Sequence, residues 1–191
     1  MSGPHARRPV LAVVGYAGEL AEPLAALAAD AGRCAIERGF RIATGGLGGV
    51  MFAASRGARG ASAWREGDVI GVLPSYDRST ANPFVDIAIP TGLQLARNIV
   101  LVAMSDAVLA IGGGAGTLSE IAFAWQLGKP TIALVGGGGW SAELAGRALD
   151  GRFATQVFAA ETASEAVELA WQLVLGGTTE PGEIGSGWRL P

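Results

Sequence analysis

The sequence is poor in the residues that most often carry metals, redox chemistry and nucleophilic catalysis. It has one cysteine, Cys34, and one histidine, His5. A single cysteine excludes an intramolecular disulfide and a cysteine-cluster metal site. A lone histidine in a terminal tail argues against Ser-His and Cys-His catalysis and against histidine-rich metal sites, so no metal site is expected. Any acid–base chemistry then falls to carboxylates, arginine, lysine or tyrosine. Basic charge is short too: the net charge is −3 and the pI about 5.2, which argues against a nucleic-acid-binding face. The apolar runs are strand-length and broken by glycines, so none is read as a membrane span. Residues 10–14 are too short for the apolar core of a signal peptide, and a cytoplasmic location is expected.

What the chain does have is apolar residues and glycine. Half of its 191 residues are hydrophobic and only 16% are charged, which predicts one folded domain with a sizeable core. That domain is expected over 10–176, between a flexible tail at 1–9 and a loose one at 177–191. The 30 glycines cluster, and clustering points to tight turns near a ligand.

Short β-type runs alternate with helical patterns along the chain. Strands are expected at 10–14, 41–44, 69–73, 107–111 and 131–135, with a sixth near 156–158. Helices are expected at 23–38, 50–59, 93–104, 118–127, 142–148 and 163–175. The stretch 74–91 is read as a loop containing one short apolar run, 85–89. This alternation predicts a doubly wound, Rossmann-like α/β domain with a mostly parallel sheet and helices on both faces. Ligands of such sheets bind beyond the carboxyl ends of the strands.

Four of five such ends carry clustered glycine. Thr44-Gly45-Gly46-Leu47-Gly48-Gly49 follows the second strand and opens a helix. Gly112-Gly113-Gly114-Ala115-Gly116-Thr117 does the same after the fourth expected strand. Missing Cβ atoms let backbone N–H groups approach an anion, and a helix N-terminus adds partial positive charge. The glycines of one loop could equally serve a tight turn; two such loops on one sheet edge favour a phosphorylated ligand. Neither GxGxxG nor GxxxxGK[ST] is present, so the usual dinucleotide and P-loop signatures fail.

The run Gly113-Gly114-Ala115-Gly116-Thr117-Leu118-Ser119-Glu120 resembles the PGGxGTxxE motif of the Lonely Guy, or lysine decarboxylase-like, family, with Gly112 in place of the proline. Val14-Gly15-Tyr16-Ala17-Gly18, the Thr44–Met51 stretch, Pro90-Thr91-Gly92 and Arg97-Asn98 bring the pattern closer to a branch that includes the molybdenum-cofactor carrier proteins. The resemblance spans residues 10–135. It implies a Rossmann-like fold, a homodimer or higher homo-oligomer, and a ligand-binding set of Gly15, Thr44, Gly45, Gly46, Gly48, Gly49, Arg97, Asn98, Gly113, Gly114, Ala115, Gly116 and Thr117. For the carrier branch it implies a bound molybdopterin or molybdenum cofactor without turnover. For the enzyme branch it implies a nucleoside 5'-monophosphate phosphoribohydrolase with Arg97 and Glu120 as catalytic residues. A nucleotide sensor is the third reading. Leu95 and Asn98 replace the histidine and lysine of the enzymes' arginine motif, which favours the carrier branch.

Glu120 has a competing role. Thr117-Leu118-Ser119-Glu120 is also a capping box, in which Thr117 caps the fourth helix and Glu120 reaches back to its N–H. Arg97 lies among apolar residues and needs a partner if buried. Ser75-Tyr76-Asp77-Arg78 reads either as a ligand-facing turn or as an ordinary polar one. Trp140 could stack on a heterocycle or cover core. Trp125, Trp171 and Cys34 are expected to pack.

Overall fold

The computed structural model describes residues 7–151 and 153–176; His5 and the expected tail at 177–191 lie outside them. Seven parallel strands form one sheet in the order β4-β3-β2-β1-β5-β6-β7. They are β1 Val10–Gly15, β2 Arg41–Thr44, β3 Val69–Leu73, β4 Ile87–Pro90, β5 Ala107–Ile111, β6 Thr131–Leu134 and β7 Phe158–Ala160. The helices are α1 Glu22–Arg38, α2 Val50–Arg59, α3 Arg97–Met104, α4 Ala115–Gln126, α5 Gly139–Leu144 and α6 Ala163–Leu175. The result is a single Rossmann-like domain. Among the described residues, no helix is long and apolar enough to cross a membrane.

The central strands are apolar along their whole length because helices cover both faces. β5 is buried at every position. Leu11, Ile42, Leu109 and Ile132 point to the face covered by α1, α2 and α6. Ala12, Val72, Val108 and Ala133 point to the face covered by α3 and α4. Each large side chain so buried contributes about 1.5–3 kcal/mol relative to exposure.

Local signals set several boundaries. Pro23 sits in the first turn of α1, and Gly39 ends it in the left-handed conformation. Thr162 caps α6 by accepting from the Glu165 N–H, while Glu165 accepts from the Glu161 N–H. At the amino ends of the strands, Asp106 accepts from the Val10 N–H and from Arg7. Arg8 pairs with buried Asp68 and donates to the Phe40 carbonyl.

Five expectations need correction. The apolar run read within the 74–91 loop supplies an edge strand, β4, paired with β3 from Ile70↔Ile87 to Leu73↔Pro90. Its edge position explains both its exposure and its tolerance of Pro90. The helix expected over 93–104 is split into a 3-10 turn, Gln94–Ala96, and α3, so Arg97 stands at the first residue of α3. The last strand lies two residues later than expected, and α5 begins three residues earlier. The fourth crossover helix also begins three residues early, at Ala115 with Gly114 as N-cap.

Candidate functional site

The strand order reverses between β1 and β5, which pair from Leu11↔Ala107 to Gly15↔Ile111. Beyond their carboxyl ends the flanking loops diverge and leave a crevice. Here lies a cavity of about 150 Å³, lined in part by Gly15, Gly45, Arg97, Asn98, Gly116, Thr117 and Glu120. These residues come from four separate segments of the expected site. A larger cavity, about 490 Å³, lies at the opposite end of β6 and β7 and holds none of the expected site residues. Its walls include Trp125, Lys129, Phe153, Phe158 and Leu173; the arginine and glutamate of the expected site are in the smaller one.

Arg97 and Glu120 form the floor of that chemistry. Nη1 of Arg97 donates to Oε1 of Glu120 at 3.2 Å, with the side chains only 11% and 7% exposed. Burial pushes the Glu120 carboxyl up to about 7, against the pull of Arg97. The same burial lowers the guanidinium from its ordinary value, with Glu120 working the other way. Both partners shift toward their neutral forms, so desolvation outweighs their mutual attraction.

The early start of α4 decides the role of Glu120. Thr117 is the third residue of α4, and the N-cap Gly114 makes no side-chain cap bond. Glu120 therefore lies beyond reach of the cap and faces Arg97; the capping box is not formed. Positive φ at Gly112 and Gly113, 64° and 97°, turns the chain into the helix before Thr117 is reached.

The two glycine loops differ. In the loop after β5, Gly114, Ala115 and Gly116 are exposed, and nothing lies within 4 Å of a Cβ built on Gly114 or Gly116. The first-turn N–H groups of a helix have no intrahelical acceptor, so this turn is open to an anion. The loop after β2 is more closed. The Val50 N–H donates to the Tyr16 carbonyl at 2.8 Å, and Gly48 and Gly49 lie against the backbone of residues 16–18. Thr44 is buried and its Oγ1 accepts from the Gly46 N–H. Gly46 packs against Leu73 and Gly71. Gly113 sits beneath the Thr117 side chain.

Asn98 is buried and ties α3 to α4, donating to Ser119 Oγ at 2.9 Å, while Ser119 Oγ donates to the Gly116 carbonyl. Ser119 and Ser141 are contributors that sequence reasoning missed. Ser141 is fully buried; its Oγ accepts from the Gly112 N–H and bonds the Leu134 carbonyl. Neither serine stands in a pattern that distinguishes it from ordinary helix residues.

The remaining candidates separate cleanly. Asp77 accepts from both the N–H and Oγ of Ser79, which lowers its carboxyl from the ordinary value; the 75–78 stretch is a polar turn. Trp125 is buried and donates to Asp150. Trp171 packs edge-on to Phe40 and under Arg38. Cys34 is partly buried against the core. Trp140 stays 40% exposed at the start of α5.

Fold and site together define a Rossmann-like, doubly wound α/β protein with a buried arginine–glutamate pair at its switch point. The chain belongs to the SLOG cluster4 family, whose model matches residues 8–169. It is similar to the solved structure of TM1055, at 36% identity and a TM-score of 0.78, covering 86% of this chain and 99% of that one. The molybdenum cofactor binding protein of Rippkaea orientalis is 35% identical with a TM-score of 0.73, covering 88% and 98%. The molybdenum cofactor carrier protein of Chlamydomonas reinhardtii is 32% identical with a TM-score of 0.74, covering 88% and 99%.

Proposed function

We propose that this chain binds and carries a phosphorylated small molecule of the molybdenum-cofactor class. The carrying observation is the juxtaposition, at one switch-point cavity, of buried Arg97 with the open first turn of α4. A phosphate there meets a fixed positive charge and backbone N–H donors. Two relatives, alike over nearly their whole length, are by name a binder and a carrier of the molybdenum cofactor.

The residues fit the phosphate end of such a cofactor: Arg97, Gly114, Ala115, Gly116 and Thr117 would hold it. In this reading the cofactor is cargo, which the protein would hold and hand on without reaction. Small-molecule sites commonly measure about 300–1,000 Å³, so the 150 Å³ cavity takes only part of a pterin. The ring system would then lie outside it.

The protein acts as a cytoplasmic homodimer in this reading. Leu93, Leu95, Ile99 and Val100 leave an apolar face around the start of α3, and Ile87 and Ile89 are exposed on the edge strand just before it in sequence. Such a face suits a second copy.

One observation favours a second reading. Glu120 is free of any capping role and faces Arg97 in the cavity. A carboxyl near 7 can move a proton at neutral pH. Glu120 would then assist water at an oxocarbenium-like sugar carbon, while Arg97 holds phosphate. Water and nucleoside monophosphate would yield free base and ribose 5-phosphate.

Incubation with AMP, read by calorimetry for binding and by chromatography for free adenine, separates the two. The carrier reading expects no release. Release that disappears in both Arg97→Ala and Glu120→Ala would replace it with the hydrolase.

A further inference from the structure

Three loops meet at the switch point, and the ring of Tyr16 lies across them. Tyr16 follows the last residue of β1. Its ring covers Gly112, where an added Cβ would come within 2.8 Å of Cε2. Its hydroxyl end reaches Gly139, where an added Cβ would lie 2.8 Å from Oη. Two bare-backbone positions from separate segments thus form a seat for the ring.

Hydrogen bonds hold that seat. Ser141 Oγ accepts from the Gly112 N–H at 2.8 Å, and the Trp140 N–H donates to the Gly113 carbonyl at 3.1 Å. Tyr16 as a residue nevertheless remains 39% exposed. Trp140, next to Gly139, is a second exposed aromatic on the same edge. A rigid aromatic surface left open beside a charged cavity is suited to stacking.

Adjacency supports a shared ligand. Gly112 lies under Tyr16, and Gly116 lines the Arg97 cavity. Gly15 and Ala17, the residues on either side of Tyr16, line the same cavity. A ligand too large for the cavity can therefore reach Tyr16.

We propose that Tyr16 is the stacking platform for a planar heterocycle whose phosphate is held at Arg97. The ligand class is a phosphorylated pterin or purine rather than a simple sugar phosphate. This rests on the reading of the cavity as a phosphate site.

Calorimetry with GMP, neopterin phosphate and ribose 5-phosphate tests it on the full chain, with Tyr16→Phe, Tyr16→Leu and Tyr76→Ala variants. At least one heterocyclic phosphate should bind about tenfold or more tighter than ribose 5-phosphate. Tyr16→Leu, which keeps an apolar side chain beside Gly112 but removes the ring, should abolish that advantage and leave ribose 5-phosphate unchanged. Tyr16→Phe should preserve it. Tyr76→Ala should change nothing, because that exposed ring lies over Gly92 on a different loop. Equal affinity for all three ligands in the wild type would overturn the platform alone. So would a Tyr16→Leu loss shared equally by ribose 5-phosphate, or an advantage lost in Tyr76→Ala. No binding by any of the three would overturn the phosphate reading as well.

Discussion

The guanidinium of Arg97 rests on the bare backbone of Gly45, and a methyl group on that glycine would collide with Nη2 and with Met51 Sδ. The glycine loop after β2 therefore serves the site less as a phosphate cradle than as the space that admits an arginine. Gly45→Ala should displace Arg97 from Glu120 and cost about 1–3 kcal/mol by overpacking. It should also weaken phosphate-ligand binding about tenfold or more, the scale of one charge-assisted hydrogen bond. Urea unfolding and calorimetry read the two effects; unchanged values in both would contradict the placement.

Glu120 makes stability depend on pH. Its carboxyl is raised from 4.5 to about 7, so between those values the folded state holds a proton that the unfolded chain has lost. The folded state binding more protons means stability falls as pH rises through this window. The full effect is about 3 kcal/mol, at 1.36 kcal/mol per unit. Glu120→Gln cannot titrate and should flatten that part of the profile between pH 5 and 8. Parallel urea-unfolding profiles for the two proteins would contradict the assignment.

Ser141 is expected to matter more than its sequence suggests. Ser141→Ala leaves the Gly112 N–H without its acceptor, at a cost of about 1–3 kcal/mol for a buried donor. The loop that carries Tyr16's seat and the start of α4 should loosen with it. Hydrogen exchange at residues 112–117 should rise in the variant; unchanged exchange would show that the loop is held elsewhere.

The apolar face at the start of α3 predicts self-association. Light scattering should give twice the 19.3 kDa chain mass, and Ile99→Asp should return the protein to monomer. A wild-type monomer at micromolar concentration would contradict the dimer.

The sheet was legible because its central strands are short apolar runs bounded by glycine, proline or aspartate, and 69–73 and 107–111 match the observed strands residue for residue. β4 was not, since its short apolar run ends at Pro90 inside a turn-rich stretch and only its pairing with β3 makes it a strand. The two Thr-x-x-Glu patterns show a further limit. Thr162 and Glu165 do cap a helix, whereas Thr117 and Glu120 lie inside one. The residues are alike; the glycines before Thr117 move the helix start. Arg97 and Glu120 were legible as candidates through the family motif, but their pairing depended on α3 and α4 packing side by side, which local sequence does not encode. Tyr16 stood within a quoted motif, yet its ring lies on glycines distant in sequence.

Native mass spectrometry of gently purified protein, before and after incubation with molybdopterin, tests the central claim most directly. The expected result is an adduct with the mass of a pterin phosphate on the wild type and its loss in Arg97→Ala. Wild-type protein that stays at the mass of bare subunits, even after incubation, would contradict it.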